Sequence, residues 1–196
     1  MKLLQITGGM IMLRGINLNI MNTIGKAFLE SAIKRSAYYK SLGDKTFAQL
    51  SDDDFHFLPS YESNSIAIII QHIHGNMLSR WIDFLTNDGE KGWRKRDAEF
   101  QDQNFNKEQL IRLWEDGWKC FLDVLRSLSD ADLEKTVHIR TEPLSVIDAI
   151  NRQLAHYPYH VGQIIYVAKM LKNKDWQNLS VPKGRSDQGN ELKSNP

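Results

Sequence analysis

The chain has 196 residues, of which 41% are hydrophobic and 25% are charged, and its formal net charge at pH 7 is +1. This length and composition are typical of a globular protein with one domain. The nearly neutral charge gives no electrostatic reason to expect binding to nucleic acid or to an anionic membrane. No run in the sequence is apolar for long enough to span a bilayer, so we expect no membrane segment.

Cysteine usage narrows the chemistry further. Cys120 is the single cysteine of the chain, so the chain can form neither an internal disulfide nor a cysteine-rich zinc site. Cys120 lies in a helical pattern of apolar residues, so we interpret it as a buried core residue and not as a nucleophile. This usage fits a reducing compartment, and we expect a cytoplasmic protein.

The two ends of the chain differ from its centre. Residues 1–20 are fairly apolar, but polar residues and glycines interrupt them and no convincing small-residue cleavage site follows. Met21 is a plausible alternative start. We therefore expect a poorly ordered extension over residues 1–20, a domain over residues 21–187 and a loose tail over residues 188–196.

Four segments carry apolar residues at the spacing of a helix that packs one face against a core. They predict helices over residues 22–50, 64–85, 107–128 and 146–172. Gly43-Asp44 offers a break within the first helix. Because the pattern contains no large sheet, it predicts an all-α four-helix bundle. Alternation over residues 136–144 allows a small β-hairpin before the fourth helix.

Residues that favour helix starts precede three of these segments. They are Ser63 or Asn64 for the second helix, Asn106 with Gln109 for the third, and Ser145 with Asp148 for the fourth. Between the second and third helices lies a charged stretch over residues 87–105 without clear periodicity. Loops of that length are often functional, and its basic segment, residues 91–96, is either a cover for a site or a solvated loop.

Two histidines, His156 and His160, stand four residues apart in the fourth helix, so their side chains lie on one face. Two neutral imidazoles in that position can bind one metal ion. No glutamate follows His156, so this is not the metalloprotease motif. The alternative is a structural pair packed at a helix interface. Pro158 lies between them and predicts a kink or bulge in the helix.

A third metal ligand would come from the second helix, which offers His72 and His74. These two residues point to opposite sides of a helix, so only one can face the same ion. The apolar stripe does not decide between them, and His74 lies nearer its centre. His72, however, shares a polar edge with Asn76, as expected of a site inside a bundle. We therefore choose His72 and expect His74 to be packed or half-exposed.

Three further polar residues could contact the metal ligands or a substrate, namely Asn76, Arg80 and Gln163. Arg80 could pair with a carboxylate. Bundle-interface hydrogen bonds or surface charges explain these three residues equally well. Ligation by histidines alone suits zinc, nickel, iron or copper and does not select among them. No general base stands out, and the catalytic residues remain unassigned.

The motifs around these histidines resemble those of a known family. Gln71-His72-Ile73, Gly75-Asn76-Met77-Leu78-Ser79-Arg80-Trp81 and His156-x-x-x-His160-x-Gly162-Gln163 resemble the DinB-like (DNA-damage-inducible) superfamily, and most closely a subfamily of uncharacterised bacterial proteins. The resemblance covers residues 21–187. It implies a four-helix bundle with up-up-down-down connections, in which His72, His156 and His160 hold a divalent metal. Members of the superfamily include thiol-dependent S-transferases and a mycothiol-dependent maleylpyruvate isomerase, and many are dimers.

Two functional hypotheses follow. The first is a metal-dependent enzyme, a thiol-dependent transferase or a hydrolase that acts on a small molecule. The alternative is a non-catalytic metal-binding bundle with a stress or sensory role. A helical interaction domain without metal ranks last, because under that hypothesis three histidines would match the metal-binding positions of the superfamily by chance. The resemblance and five tryptophans in a small chain also lead us to expect a homodimer.

Overall fold

The computed structural model describes residues 7–182 and 184, with side chains from residue 24 onward. Residues 1–6 and the predicted tail over residues 188–196 lie outside the described residues. The described elements are α1 (Thr7–Phe47), α2 (Asp52–His56), α3 (Ile66–Trp81), α4 (Lys107–Ser127), β1 (Thr136–Ile139), β2 (Glu142–Ser145) and α5 (Val146–Lys172). The mainly helical fold and the small hairpin are thus confirmed. None of the described helices is long and apolar enough to cross a membrane.

The long helices share one apolar core. Helix α3 packs mainly against α4, and α1 packs mainly against α5, while α1 also contacts α4 and α3 also contacts α5. Aromatic side chains fill much of the centre, and the largest of them that are fully buried are Trp81, Trp114, Trp118, Tyr157, Phe55 and Phe121. Burial of side chains this large dominates the energetics of a core and fixes how the helices pack. Helices α3 and α5, which carry the three candidate ligands, are therefore held in place by the core.

The helix starts follow the predicted caps in two of three cases. Asn106 Oδ1 accepts from the Gln109 backbone N–H at 2.9 Å, and Ser145 Oγ accepts from Asp148 N–H at 3.1 Å. Helix α3 is capped by Ser65 instead of Ser63 or Asn64, with Ser65 Oγ accepting from Ile68 N–H at 3.2 Å. It ends at Trp81, short of the predicted residue 85, because the chain turns to extended backbone at residue 82.

The break offered at Gly43 does not form. A Cβ atom at Gly43 would lie 2.8 Å from Trp114 Cη2, and Trp114 Nε1 donates to Asp44 Oδ1 at 2.8 Å. The glycine therefore permits close contact between α1 and α4, and α1 continues to Phe47. The segment after it contains the short helix α2, which buries Phe55.

Helix α5 runs without interruption from Val146 to Lys172 and contains Pro158. All of its residues are assigned to α-helix, so no bulge separates the two histidines. Proline removes one backbone donor, but the flanking turns remain helical. The i, i+4 geometry of His156 and His160 is therefore kept.

The hairpin tip and the loop after α3 are joined. Arg140 and Thr141 form the tip at φ values of 57° and 65°, a left-handed conformation that costs non-glycine residues about 1 kcal/mol each. Asp88 Oδ1 accepts from the Arg140 backbone N–H at 2.9 Å, and Asp88 Oδ2 accepts from Thr141 N–H at 2.7 Å. Gly89 N–H donates to the His138 carbonyl at 2.8 Å. These bonds hold the hairpin tip against the loop.

Candidate metal centre

Three histidines meet between α3 and α5. His72, His156 and His160 each offer a ligand atom, and these atoms all lie within 4.8 Å of one another. His156 Nε2 and His160 Nε2 are 3.0 Å apart. His72 is buried, and the other two are half-buried. The structure thus brings together the three residues that the sequence selected, from two helices far apart along the chain.

The remaining histidines lie elsewhere. His74 Nε2 is 3.0 Å from Asp116 Oδ2 of α4, outside the three-histidine group. His56 Nδ1 is 2.6 Å from Asp102 Oδ2, and His138 is exposed on β1. Of the two histidines on α3, therefore, only His72 faces the pair on α5.

Each histidine of the group has an oxygen acceptor at its other ring nitrogen. His72 Nδ1 lies 3.0 Å from Glu99 Oε2. His156 Nδ1 lies 3.2 Å from Gln153 Oε1, and His160 Nδ1 lies 2.8 Å from Gln163 Oε1. A ring nitrogen beside an oxygen acceptor carries the proton, which leaves the lone pair on Nε2. The arrangement therefore directs three basic nitrogens to one place.

Protonation is disfavoured in this group. Burial, together with the charges that His160 and His72 would carry, lowers the pKa of His156 to about 3. Burial also lowers the pKa of His160. Neutral imidazoles with Nδ1 protonated have no hydrogen to share across the 3.0 Å between the Nε2 atoms of these two residues. A cation beside both lone pairs would relieve their repulsion, so the residues fit a divalent metal.

Glu99 is held as a carboxylate beside His72. Its side chain is 10% exposed and forms two bonds with Arg94, from Nε to Oε1 at 2.7 Å and from Nη2 to Oε2 at 2.8 Å. Burial opposes ionisation, but hydrogen bonds from Arg94 and His72 lower the pKa of Glu99 overall. The carboxylate therefore fixes the tautomer of His72 and is not free to act as a base.

The backbone of α3 makes room for this carboxylate. A Cβ atom at Gly75 would lie 2.8 Å from Glu99 Cδ, so a larger residue would displace the side chain. Phe100 stacks on the ring of His72, with ring centroids 4.8 Å apart. Gln71 Nε2 donates to the Gln101 carbonyl at 2.8 Å. The loop that follows α3 is therefore packed tightly against the histidine site.

The three additional candidates have defined contacts. Gln163 accepts from His160 as described above. Asn76 Oδ1 accepts from Tyr157 Oη at 3.2 Å, and this hydroxyl accepts from Trp81 Nε1 at 2.9 Å. Arg80 is buried and donates to the Gly89 carbonyl and, through Nη2, to Glu90 Oε2 at 3.1 Å. Arg80 thus pairs with a carboxylate of the chain itself.

Sequence reasoning missed three residues of this site, Glu99, Arg94 and Gln153. Gln153 stands three residues before His156, as Gln163 stands three residues after His160. This symmetry on one helix was a usable signal for residues that orient the two imidazoles. Glu99 and Arg94 lie in the aperiodic stretch over residues 87–105, where no spacing relates them to His72.

The structure defines a mainly helical protein with a partly buried three-histidine group that could hold a metal. The chain matches the family model described as "Protein of unknown function (DUF1572)" over residues 23–185, more than four fifths of its length. It therefore belongs to this family. A search of curated proteins finds no match to the chain.

Proposed function

We propose that the chain is a divalent-metal-dependent enzyme whose metal is held by His72, His156 and His160. The observation that carries the proposal is that the Nδ1 atom of each imidazole faces an oxygen acceptor, which leaves three Nε2 lone pairs together. Oriented, neutral histidines of this kind are typical of metal ligands with a supporting outer shell. Zinc, nickel and iron all suit the ligand set.

The reaction we propose is thiol-dependent group transfer or hydrolysis of a small molecule. A bound divalent ion would lower the pKa of a water or thiol in an open coordination position. A cavity of about 180 Å³ reaches His72 and His156, and no carboxylate is among the described residues that line it. None of the described residues therefore supplies a carboxylate base there, and those that line the cavity act by holding and orienting the ligand.

The thiol of a transferase reaction would have to come from a small molecule. Cys120 belongs to α4 and is not among the described residues that line the cavity. Burial and the nearby Asp116 and Asp123 raise the pKa of the Cys120 thiol, which makes it a poor nucleophile. The small-molecule thiol is therefore a substrate in this proposal.

We also propose how the helices are connected and how the chain assembles. A DinB-like bundle with up-up-down-down connections agrees with the pairing of α3 with α4 and of α1 with α5. We propose that the protein is cytoplasmic. We also propose a homodimer, because α5 exposes the large side chains of Tyr159, Tyr166 and Met170 at 62%, 71% and 45%. Light scattering at tens of micromolar tests the dimer, and a monomeric mass would contradict it.

Elemental analysis tests the metal. The full chain, purified without a metal-affinity step, should carry about one divalent ion, which a strong chelator removes and zinc, nickel or iron restores. His156→Ala and His160→Ala should each lose most of it, because the remaining two imidazoles bind weakly. Full metal retention in both variants would rule out the site.

An activity screen tests the enzyme. Metal-loaded protein would be incubated with a low-molecular-weight thiol and a panel of electrophiles, and separately with small esters and amides. We expect turnover that is lost in the chelated protein and returns with metal. A protein that binds metal stoichiometrically but turns over nothing would favour the non-catalytic metal-binding bundle.

A further inference from the structure

The cavity beside the histidines is lined by arginines. Besides His72 and His156, it is bordered by five guanidinium groups. They are Arg80, Arg94, Arg96, Arg140 and Arg152. They come from α3, the loop after it, the hairpin tip and α5, so four separate parts of the chain bring positive charge to one place.

Internal ion pairs neutralise only part of this charge. Glu90 Oε2 accepts from Arg80 Nη2 at 3.1 Å and from Arg140 Nε at 2.9 Å. Glu99 pairs with Arg94. Among the described residues, neither Arg96 nor Arg152 forms an ion pair, and no carboxylate lines the cavity. Glu90 and Glu99 are paired with these arginines, and Asp88 lies near Arg80 as a third carboxylate, so the five guanidinium groups leave an excess of two positive charges.

The guanidinium group of Arg94 has one nitrogen without a hydrogen-bond partner among the described residues. The Arg94 side chain is 1% exposed, and its Nη1 has no hydrogen-bond partner among the described residues. Its other two nitrogens are occupied by Glu99. A buried donor without a partner costs about 1–3 kcal/mol, so an acceptor from outside the chain, a ligand oxygen or a water, would stabilise Arg94 Nη1.

The arginine at the hairpin tip is held in position. Arg140 has a positive φ angle. Its backbone N–H donates to the Asp88 carboxylate, which stabilises this conformation. Hydrogen bonds from the backbone of Thr141 and Glu90 lower the pKa of Asp88, so this tie persists at neutral pH. The chain therefore retains a strained turn whose side chain lies at the cavity.

We propose that this cavity binds an oxyanion group, phosphate or carboxylate, of the small-molecule substrate and holds it beside the three histidines. The inference rests on the proposed function in treating the ligand as a substrate. Guanidinium groups match the geometry of both oxyanions through paired N–H donors. The excess of positive charge around the cavity disfavours cationic ligands.

Isothermal titration of the full chain after chelation tests the cavity without the metal. Inorganic phosphate and succinate would be titrated separately at low ionic strength. At least one of them should bind with one site per chain, and added sodium chloride should weaken the binding because the charges are partly solvated. The oxyanion that binds more tightly identifies the group that the substrate carries. No binding of either at tens of millimolar would overturn the proposal.

Matched variants place the binding in the cavity. Arg96→Gln and Arg152→Gln remove exposed, unpaired arginines and should leave the fold intact, and the double variant should weaken binding about tenfold or more. Arg112→Gln, which removes an exposed arginine of α4 outside the cavity, should change it less than twofold. Equal weakening in the double variant and in the control would show a non-specific ion effect and overturn the proposal.

Oxyanion binding and metal binding can be tested independently of each other. A chain that binds phosphate or succinate through these arginines but never binds metal would retain the oxyanion site and lose the proposed enzyme. A chain that binds metal but neither oxyanion would retain the metal centre and lose this inference. Arg94→Lys adds a stricter variant, provided that circular dichroism shows native helix content.

Discussion

Each of two opposite sides of α3 carries a histidine beside a carboxylate, but only one of these histidines is placed to bind a metal. His72 and His74 each lie 3.0 Å from a carboxylate, Glu99 and Asp116 respectively. His72 uses Nδ1 and leaves Nε2 towards the other histidines, whereas His74 uses Nε2. A histidine–carboxylate contact therefore does not define a metal ligand. What distinguishes a candidate metal ligand is which ring nitrogen remains free and which groups that nitrogen faces.

Burial separates the two pairs further. The side chains of His72 and Glu99 are 7% and 10% exposed, whereas those of His74 and Asp116 are 20% and 62% exposed. Water and salt screen the outer pair, so its interaction is weak. The inner pair is shielded, and its partner Arg94 fixes the carboxylate. Only the inner pair can hold an imidazole in one tautomer and orientation.

Removing each histidine in turn should give the largest contrast. His72→Ala should lower zinc affinity by roughly 100-fold or more, because one of three ligands is lost. His74→Ala should leave zinc affinity unchanged. Competition with a chromogenic chelator measures both variants. Equal losses, or a loss confined to His74→Ala, would assign the third ligand to the wrong side of α3.

Removing each carboxylate should give the next contrast. Glu99→Gln keeps the shape of the side chain but weakens its hold on His72 and frees Arg94, so zinc affinity should fall about 10- to 100-fold. Asp116→Asn should have no effect on zinc. The same chelator competition applies, with circular dichroism to check the fold. An unchanged affinity in Glu99→Gln would show that the carboxylate does not support the ligand.

A smaller effect should come from crowding Glu99 without altering it. Gly75→Ala places a methyl group against the carboxylate and should lower zinc affinity about tenfold. Gly162→Ala in α5 is the matched control, because a Cβ atom there meets nothing within 4 Å. That variant should keep zinc affinity and raise the free energy of unfolding by about 0.5–1 kcal/mol. Equal zinc affinities in the two variants would contradict the packing argument.

The sequence predicted the α5 half of the site well for a physical reason. Within one helix, spacing determines geometry, so His156 and His160 could be placed side by side without tertiary information. The caps at Ser145 and Asn106 likewise depend on residues only three apart. Local chemistry of this kind is legible in a single sequence.

The parts that the sequence did not predict depend on contacts between distant segments. Glu99 and Arg94 reach the site from a loop without periodicity, and only the fold shows that they lie beside His72. Gly43 suggested a break because glycine favours turns, whereas its role is to let Trp114 approach α1. The choice between His72 and His74 needed a polar neighbour, Asn76, because the apolar stripe alone did not decide it.

A separate prediction concerns the pH dependence of the stability of the metal-free chain. The pKa of His156 is about 3 in the folded state, against about 6.5 in the unfolded state. Below pH 6.5 the unfolded state therefore binds more protons, and the free energy of unfolding should fall as pH falls from 7 to 5. Urea denaturation with a chelator present measures this. His156→Gln should flatten the dependence, and an identical slope in both proteins would contradict the assignment.

The most direct measurement is long-range proton–nitrogen NMR of the histidine rings during zinc titration. We expect that His72, His156 and His160 keep their Nδ1 protons while their Nε2 resonances shift to metal-bound positions, and that His74 does not change. Single variants assign the signals. Coordination through Nδ1 in any of the three, or a shift of His74 in place of His72, would contradict this expectation.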